Sequence, residues 1–278
     1  MKLFRHKHGV IIEKEGLFYA NSHETNWDEL INRDDLYHYL EELVSLGSEQ
    51  IGSISEYNIL SPACSQEIWA AGVTYFSSRL ARMEESQEAG GGDFYSRVYV
   101  ADRPEIFFKA TPARAVGPGE DFRIRKDSIW NVPEPELTLF VTSNAKIVGY
   151  TIGNDVSSRS IEGENPLYLP QAKTFDNCAC LGPCILVPEN PLPAETGIEM
   201  NISRQSEVVF EGKTSLQEMK RKPKELVDYL FRETSFVRGV FLMTGTGIVP
   251  EKNFTLQAGD KVDITIDSIG TLSNTVEA

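Results

Sequence analysis

The feature that most constrains the fold of this chain is a long succession of short apolar runs. From Ile68 onward these runs are rich in Val, Ile, Phe and Thr, and Gly, Pro and Asn separate them, which is typical of strands joined by turns. Two segments of this part have helical character, at about residues 77–88 and residues 223–234. Because strands and helices do not alternate regularly, the pattern predicts an α+β fold dominated by mixed β-sheet.

The first 62 residues have a different pattern, in which three short strands precede one long helix. The strands are predicted around Leu3–Phe4, Val10–Ile12 and Leu17–Ala20. The helix is predicted from about Trp27 to Leu46, with Asn26 as its N-cap and Gly47 directly after its last apolar residue. We therefore predict a small N-terminal α/β cap domain, residues 1–62, in front of a larger domain formed by residues 63–278.

The net charge and the hydropathy of the chain limit the binding partners and the cellular location that we expect. The chain has 27 lysine and arginine residues against 41 aspartate and glutamate residues, a net charge of −14, which disfavours binding to nucleic acid and to anionic membranes. A signal peptide and a membrane-spanning stretch are both absent from the sequence pattern, so we expect a cytoplasmic protein. The clustered Cys178, Cys180 and Cys184 are interpreted as buried small side chains, with a zinc site as the alternative.

A β-hairpin is predicted between Asn131 and Asp155. Alternate residues of an extended strand share a face, so Glu134 and Glu136 point the same way. If Asn144-Ala145 is a two-residue loop, Asp155 lies opposite Glu134, with the two Cβ atoms about 5 Å apart. The hairpin would therefore bring three carboxylates to one patch.

Three carboxylates at such distances repel one another, so a fold that gathers them either protonates one or supplies a cation. Carboxylate oxygens favour a hard ion such as Mg²⁺, with Mn²⁺ or Ca²⁺ as possible substitutes. The alternative is that Glu134 and Glu136 are solvated charges that protect an edge strand from aggregation.

Two polar segments add further candidates. A bound dication disfavours the charged form of a nearby lysine, so Lys173 is a candidate proton acceptor, with a solvated surface lysine as the alternative. The segment Thr244–Gly247 offers backbone N–H groups and hydroxyl donors that suit a carboxylate ligand, although it is also an ordinary turn sequence.

An ordered series of these motifs resembles the catalytic domain of the fumarylacetoacetate hydrolase family, from about Ile68 to the C-terminus. The motifs that carry the resemblance are, in chain order, Arg103–Lys109, Glu134–Leu137, Gly149–Arg159, Lys173–Asp176, Leu181–Pro183 and Thr244–Thr246. The resemblance implies the mixed β-sheet roll of that family. It also implies that Glu134, Glu136 and Asp155 bind Mg²⁺ or a similar ion, and that Lys173 faces the substrate.

The stretch between Gly72 and Glu85 separates two kinds of family member. Carbon–carbon hydrolases of the family typically carry a histidine here, shortly after a Gly-x-Asn-Tyr segment, and this chain has none. The stretch is more similar to the branch that dehydrates 2-keto-3-deoxy sugar acids such as 2-keto-3-deoxy-arabinonate. The resemblance therefore implies a dehydratase, with a hydrolase or decarboxylase of an acylpyruvate-like 2-oxo acid as the alternative.

In the implied reaction a small 2-oxo acid binds the metal ion, which stabilises the enolate formed as a C3 proton leaves. Lys173 is the candidate base and Glu105 the candidate acid for the departing C4 hydroxyl, although these two roles can be exchanged. Thr246 is assigned to the substrate's carboxylate or ketone. Arg79 and Arg82 share a predicted helix face and are candidates for binding the distal part of the substrate, or for surface ion pairs.

Two other functions compete with the dehydratase and its metal-dependent relatives. One is a Schiff-base enzyme that uses Lys173, and the other is a non-catalytic sugar-acid binding protein. The resemblance also implies a homo-oligomer, a dimer or larger.

Overall fold

The computed structural model describes residues 1–85 and 92–278, and the side chains of residues 1–80 and 96–278. The strands are, in chain order, β1 (Lys2–His6), β2 (Gly9–Lys14), β3 (Leu17–Asn21), β4 (Glu49–Ile51), β5 (Glu67–Gly72), β6 (Glu105–Ala110), β7 (Ala115–Val116), β8 (Asp121–Phe122), β9 (Asn131–Val132), β10 (Pro135–Val141), β11 (Ile147–Asp155), β12 (Ser157–Ser158), β13 (Ala179–Leu186), β14 (Gly197–Arg204), β15 (Glu207–Ser215), β16 (Val240–Met243), β17 (Lys261–Ile266) and β18 (Gly270–Val276). The α-helices are α1 (Trp27–Ile31), α2 (Leu36–Leu46), α3 (Phe76–Glu85), α4 (Gly92–Val100), α5 (Arg159–Glu164), α6 (Leu169–Lys173) and α7 (Pro223–Leu230).

Two large sheets account for most of these strands. In the described residues, an eleven-stranded sheet has the order β4-β3-β2-β1-β13-β11-β10-β16-β5-β6, with β7 beside β13, and a five-stranded sheet has the order β15-β14-β17-β18-β8. Most neighbours are antiparallel, whereas β16 and β5, β13 and β7, and β18 and β8 are parallel. The predicted α+β fold with mixed sheet is therefore confirmed.

The N-terminal strands β1, β2 and β3 lie where the sequence predicts them, and they extend the eleven-stranded sheet because β1 pairs with β13. The long predicted helix is wrong, since it is broken into α1 and α2. At the break, the Asp34 carboxylate accepts hydrogen bonds from Thr142 Oγ1 at 2.6 Å and Asn144 Nδ2 at 2.9 Å. These bonds to the β10–β11 turn favour the break over a continuous helix. The division of the chain at residue 62 stays a prediction.

Three helices of the larger part, α4, α5 and α6, were not predicted, because two of them are only five or six residues long and carry little periodicity. The helix predicted at residues 223–234 begins at Pro223 but ends at Leu230. Helix α3 covers the first part of the segment predicted at residues 77–88, and the end of that segment lies outside the described residues. No helix in the described part of the chain is both long enough and apolar enough to cross a lipid bilayer.

Strand β10 is buried along its whole length because both faces of the eleven-stranded sheet are covered there. On one face Leu139 belongs to the apolar cluster that contains Met200 of β14, in the five-stranded sheet. On the other face Phe140 belongs to the cluster that contains Leu30 of α1. A strand covered on both faces reads as a continuous apolar run, and charged groups at its end require partners inside the protein.

Candidate active site

Strands β10 and β11 bring the predicted carboxylates together. Glu136 pairs with Gly153, and the backbone N–H of Asp155 donates to the carbonyl of Glu134 at 2.9 Å. Asp155 therefore lies opposite Glu134, as predicted. One carboxylate oxygen from each of Glu134, Glu136 and Asp155 lies within 4.8 Å of the other two.

The turn of this hairpin differs from the prediction. The N–H of Thr142 donates to the carbonyl of Lys146 at 2.9 Å, so the loop has three residues rather than two. Ala145, the last of the three, has φ 60°, which suits the left-handed position of a three-residue hairpin loop. A bulge between Phe140 and Val141 absorbs the additional residue. The register at the carboxylates is consequently the one that the two-residue loop predicts.

The three carboxylates are buried, with exposed fractions of 3% or less. Burial raises the pKa of the Glu136 carboxyl well above its usual value, the charges of Asp155 and Glu134 raise it further, and Lys173 and the Gly245 amide lower it. A divalent cation would relieve this repulsion, and an all-carboxylate donor set fits a hard ion such as Mg²⁺. Within the described part of the chain, this is the one group of three or more acidic, cysteine or histidine side chains close enough to share an ion.

Three buried cations contact the carboxylates. Lys173 Nζ lies 2.7 Å from Oε2 of Glu134 and 2.9 Å from Oδ2 of Asp155. Arg159 Nη2 lies 3.0 Å from Oε1 of Glu134, and Lys109 Nζ lies 2.6 Å from Oδ1 of Asp155. Among the side chains that the structure describes, these contacts join three formal negative charges to three formal positive charges, so an added dication would give this group an excess of positive charge.

Two short helices place Lys173 and Arg159. Arg159 is the first residue of α5, whose N-cap is Ser158, and Lys173 is the last residue of α6. The polar segment that contains Lys173 is therefore helical up to this residue and leaves the helix directly after it. Lys173 Nζ also donates to Ser157 Oγ at 2.6 Å, so this lysine is fully engaged inside the protein.

The predicted glycine and threonine segment lies beside the carboxylates. The Gly245 N–H donates to Oε2 of Glu136 at 2.6 Å, so this amide binds a carboxylate of the protein itself. Gly245 has φ +92°, and an added Cβ would lie 2.0 Å from Oγ1 of Thr74. Thr246 lines the cavity at the carboxylates, and its hydroxyl exchanges hydrogen bonds with the backbone of Ile248.

Glu105 is the first residue of β6, and it does not belong to the residues that line the cavity. It pairs with Gly72, and an added Cβ at Gly72 would lie 2.2 Å from Oε2 of Glu105. Phe107, two residues further along the same strand, lines the cavity, and residues two apart on a strand share a face. The residues that line the cavity are Ala71, Gly72, Val73, Ser78, Phe107, Glu134, Glu136, Asp155, Arg159, Lys173, Gly245 and Thr246.

The structure describes the side chain of only one of the two arginines that are predicted to bind substrate, Arg79 and Arg82. Arg79 packs between α3 and α4, with Nη2 3.4 Å from Ser96 Oγ and its guanidinium carbon 5.2 Å from the centre of the Tyr99 ring. It does not belong to the residues that line the cavity. The side chain of Arg82 lies outside the described residues. The substrate-binding roles of both arginines stay predictions.

Sequence reasoning gave no role to two cations of the site. Lys109 stands in the apolar run Ile106–Ala110, and Arg159 follows Asp155 by four residues. A charged residue inside a strand predicted to be buried is the signal that identifies Lys109, whereas Arg159 had no signal beyond its place in a family motif. Cys178, Cys180 and Cys184 are buried and form no disulfide.

Comparison with known proteins relates this geometry to a family. Residues 68–277 match the family described as fumarylacetoacetate (FAA) hydrolase C-terminal. A protein of Haloferax volcanii named probable 2-keto-3-deoxyxylonate dehydratase is 55% identical over 216 residues, which cover 77% of this chain and 73% of that protein. The 2-dehydro-3-deoxy-D-arabinonate dehydratase of Saccharolobus solfataricus is 44% identical over 226 residues, covering 81% of this chain and 76% of that protein.

A solved structure extends the similarity to the whole chain. It is described as 2-keto-3-deoxy-D-arabinonate dehydratase complexed with magnesium and 2,5-dioxopentanoate. Its TM-score with this chain is 0.83 and its sequence identity is 36%, over 100% of this chain and 99% of the solved chain.

Proposed function

Because this chain belongs to the fumarylacetoacetate hydrolase family, we propose that it is a Mg²⁺-dependent dehydratase of a 2-keto-3-deoxy sugar acid. The observation that carries the proposal is the buried group formed by Glu134, Glu136 and Asp155, with Lys173 in contact with two of its members. Two relatives that are 44% and 55% identical are named as dehydratases of such acids. The solved dehydratase with magnesium and 2,5-dioxopentanoate supports the same choice of metal and product.

In this proposal Glu134, Glu136 and Asp155 hold the Mg²⁺ ion. When bound, the ion supplies positive charge that stabilises negative charge developing on a 2-oxo acid. Arg159 and Lys109 each hold one oxygen of a carboxylate, and the Gly245 N–H holds one oxygen of Glu136. These fixed donors restrict the orientation of all three carboxylates, so the protein supplies a preorganised set of oxygen ligands.

Lys173, acting as the neutral amine after its ammonium has lost a proton, takes the C3 proton, and Glu105 donates a proton to the C4 hydroxyl, which leaves as water. The position of Lys173 Nζ between two carboxylates supports a role next to the substrate, and the position of Glu105 beside Gly72, which lines the cavity, supports a role in proton donation. A shift of a proton from C5 to C3 of the unsaturated 2-oxo acid then gives an enol with its hydroxyl on C5. Loss of the proton from that hydroxyl and addition of a proton at C4 give the 2,5-dioxo acid. Thr246, which lines the cavity, is proposed to face the substrate's carboxylate or ketone.

The charge of the cluster supports an anionic substrate. With the ion bound, the balance between three carboxylates and three cations shifts to a net positive charge in a buried site. Such a site attracts an acid even though the whole chain carries a charge of −14, because long-range repulsion is screened beyond about 8–10 Å at physiological salt.

The test is product identification with the purified protein. It is supplied with 2-keto-3-deoxy-pentonates of both C4 configurations, an acylpyruvate and a 2-oxo diacid, in Mg²⁺ and then in EDTA. The proposal predicts Mg²⁺-dependent formation of a 2,5-dioxo acid. Formation of two acids from the acylpyruvate indicates a hydrolase, release of carbon dioxide indicates a decarboxylase, and binding of substrate without any turnover indicates a sugar-acid binding protein.

We also propose that the protein forms a homo-oligomer and acts in the cytoplasm. Large exposed apolar side chains support self-association, among them Ile129 with 90% and Leu167 with 83% of their surface exposed. Light scattering coupled to gel filtration tests the oligomer, since a mass of one chain, 31.1 kDa, contradicts it.

A further inference from the structure

We infer that Lys109 is a positioning residue that fixes the metal ligand Asp155 and the base Lys173 relative to each other. The inference rests on the proposed function, because it concerns how residues that are proposed to bind metal and transfer a proton are held in place. It extends the role of Lys109 from holding one carboxylate oxygen to setting the position of the base as well.

The ammonium of Lys109 reaches three acceptors from different segments. Nζ lies 2.6 Å from Oδ1 of Asp155, donates to the carbonyl of Val156 at 2.9 Å, and donates to the carbonyl of Lys173. The two carbonyl contacts are hydrogen bonds, and the contact with Oδ1 of Asp155 is an ion pair. One side chain of β6 therefore links the end of β11 to the end of α6.

The backbone of the same residue makes a second link to the segment after α6. Thr174 Oγ1 donates to the carbonyl of Lys109 at 3.1 Å, and Cys178 Sγ lies 3.9 Å from that oxygen. Residue 109 thus holds the chain at the Lys173 carbonyl and directly after it. A shift of Lys109 would move the proposed base as well as the proposed ligand.

The two oxygens of Asp155 have different partners. Oδ1 contacts Lys109, and Oδ2 contacts Lys173. The terminal torsion of an aspartate is broad and nearly two-fold, so a carboxylate without a fixed partner can rotate. The contact with Lys109 stops this rotation and keeps Oδ2 beside the proposed base Lys173.

The burial of Lys109 excludes an ordinary structural lysine. Its side chain is fully buried, and lysine is almost never fully buried without a specific pairing. A buried charge is costly compared with an apolar side chain of the same volume. If the side chain at this position only filled space, methionine or leucine would fill it without the cost of burying a charge.

The experiment compares Lys109→Met with Arg204→Met as the matched control. Arg204 holds the buried Asp260 in the other sheet, at 2.7 Å, and contacts no residue of the cavity. For each EDTA-treated protein, calorimetric titration gives the Mg²⁺ dissociation constant, and steady-state kinetics at saturating Mg²⁺ give kcat and KM. Thermal unfolding reports the general loss of stability in both variants.

Lys109→Met is expected to weaken Mg²⁺ binding by about 10- to 100-fold, the range found for residues that orient metal ligands. It is also expected to lower kcat at saturating Mg²⁺ by about 10-fold, because the carbonyl of Lys173 loses its anchor. Arg204→Met is expected to lower the unfolding temperature and leave both constants unchanged. A folded Lys109→Met protein with the Mg²⁺ affinity and kcat of the wild type overturns the inference.

A second variant covers the case in which Lys109→Met does not fold. Lys109→Arg keeps the charge, but a planar guanidinium cannot place a single nitrogen on the three acceptors. It is expected to retain Mg²⁺ binding and to lose kcat, and an unchanged kcat contradicts the inference. Failure of the proposed function is distinct, since the wild type itself would then show no Mg²⁺-dependent turnover.

Discussion

The eleven-stranded and the five-stranded sheet each carry an ion pair of nearly the same length, but the two pairs differ in their exposure to solvent. At the end of the eleven-stranded sheet, Lys173 of α6 and Asp155 of β11 meet at 2.9 Å, and each side chain is 1% exposed. In the five-stranded sheet, Lys213 and Glu199 meet at 2.8 Å, but 72% and 45% of these side chains are exposed. The distances are nearly equal, so distance alone does not distinguish a site from a surface.

Burial separates the energetic roles of the two pairs. An exposed pair gains little because water already solvates both charges, and such pairs contribute about 0.2–1 kcal/mol. A buried pair leaves an uncompensated charge if one partner is removed, which costs about 3–5 kcal/mol. The Lys173–Asp155 pair therefore consists of charges that depend on each other, whereas the charges of the Lys213–Glu199 pair can be replaced singly.

The largest expected effect is that of Asp155→Asn in the buried cluster. The change removes a proposed metal ligand and leaves Lys109 without its carboxylate partner. We expect the free energy of unfolding to fall by about 3–5 kcal/mol, with loss of measurable Mg²⁺ binding and of turnover. Urea unfolding and calorimetric titration measure the two effects. Retention of wild-type Mg²⁺ affinity in this variant would remove Asp155 from the metal site.

A smaller effect is expected for Gly245→Ala. A Cβ at this position would lie 2.0 Å from Thr74 Oγ1 and 2.9 Å from the carbonyl of Ala71, so the amide that binds Glu136 must move. We expect the free energy of unfolding to fall by about 1–2 kcal/mol, because alanine is strained in the left-handed backbone conformation. We also expect the Mg²⁺ affinity to fall by about 10-fold.

The matched control for that change is Gly259→Ala, next to the five-stranded sheet. Gly259 also has a positive φ, +84°, but an added Cβ meets nothing within 4 Å. Its substitution should lower the free energy of unfolding by the same amount for the backbone strain and leave the Mg²⁺ affinity unchanged. Equal effects of the two substitutions on Mg²⁺ binding would show that the Gly245 amide has no special role.

Gly72→Ala is expected to act on turnover rather than on metal binding. The new Cβ would lie 2.2 Å from Oε2 of Glu105, so the proposed acid must leave its position. We expect kcat to fall by about 10- to 100-fold and the Mg²⁺ affinity to stay unchanged. A correctly positioned proton donor contributes about 100-fold or more to the rate, and a displaced one loses part of that contribution.

Gly197→Ala is the corresponding change in the five-stranded sheet. Its Cβ would lie 2.9 Å from Oδ2 of Asp267, so it also displaces a carboxylate, but one remote from the cavity. Turnover should stay at the wild-type level. If Gly72→Ala likewise leaves kcat unchanged, Glu105 is not the proton donor.

The smallest effect is expected for Lys213→Met. The change breaks the exposed pair with Glu199, and we expect the free energy of unfolding to change by less than about 1 kcal/mol. Urea unfolding at low and high salt checks this, because salt should reduce even that difference. If the free energy of unfolding fell by several kcal/mol, the exposure of an ion pair would not determine how much the pair contributes to stability.

The parts of the site that the sequence predicts are those that depend on local periodicity. Alternation along the extended chain at the start of β10 places Glu134 and Glu136 on one face, and hairpin geometry places Asp155 opposite Glu134, even though the turn has an additional residue. The roles of Lys109 and Arg159 depend instead on contacts between segments distant in the chain. Local patterns carry no such information, so their partners became visible only in three dimensions.

The short helices illustrate the same limit. Helix α6 has five residues and contains Pro170, so its sequence has no helical periodicity to detect. Its conformation is fixed by contacts such as those of Lys173 with Glu134 and Asp155. Similarly, the break between α1 and α2 depends on Asp34 reaching the distant turn at Thr142.

The central claim is that the buried carboxylates bind Mg²⁺ for the dehydration of a 2-keto-3-deoxy sugar acid. The most direct test titrates Mg²⁺ into EDTA-treated protein while the formation of 2,5-dioxo acid from 2-keto-3-deoxy-pentonate is followed. We predict no product in EDTA, and a rate that rises with Mg²⁺ and reaches its maximum when one ion is bound per chain. Full dehydration in excess EDTA would contradict the claim.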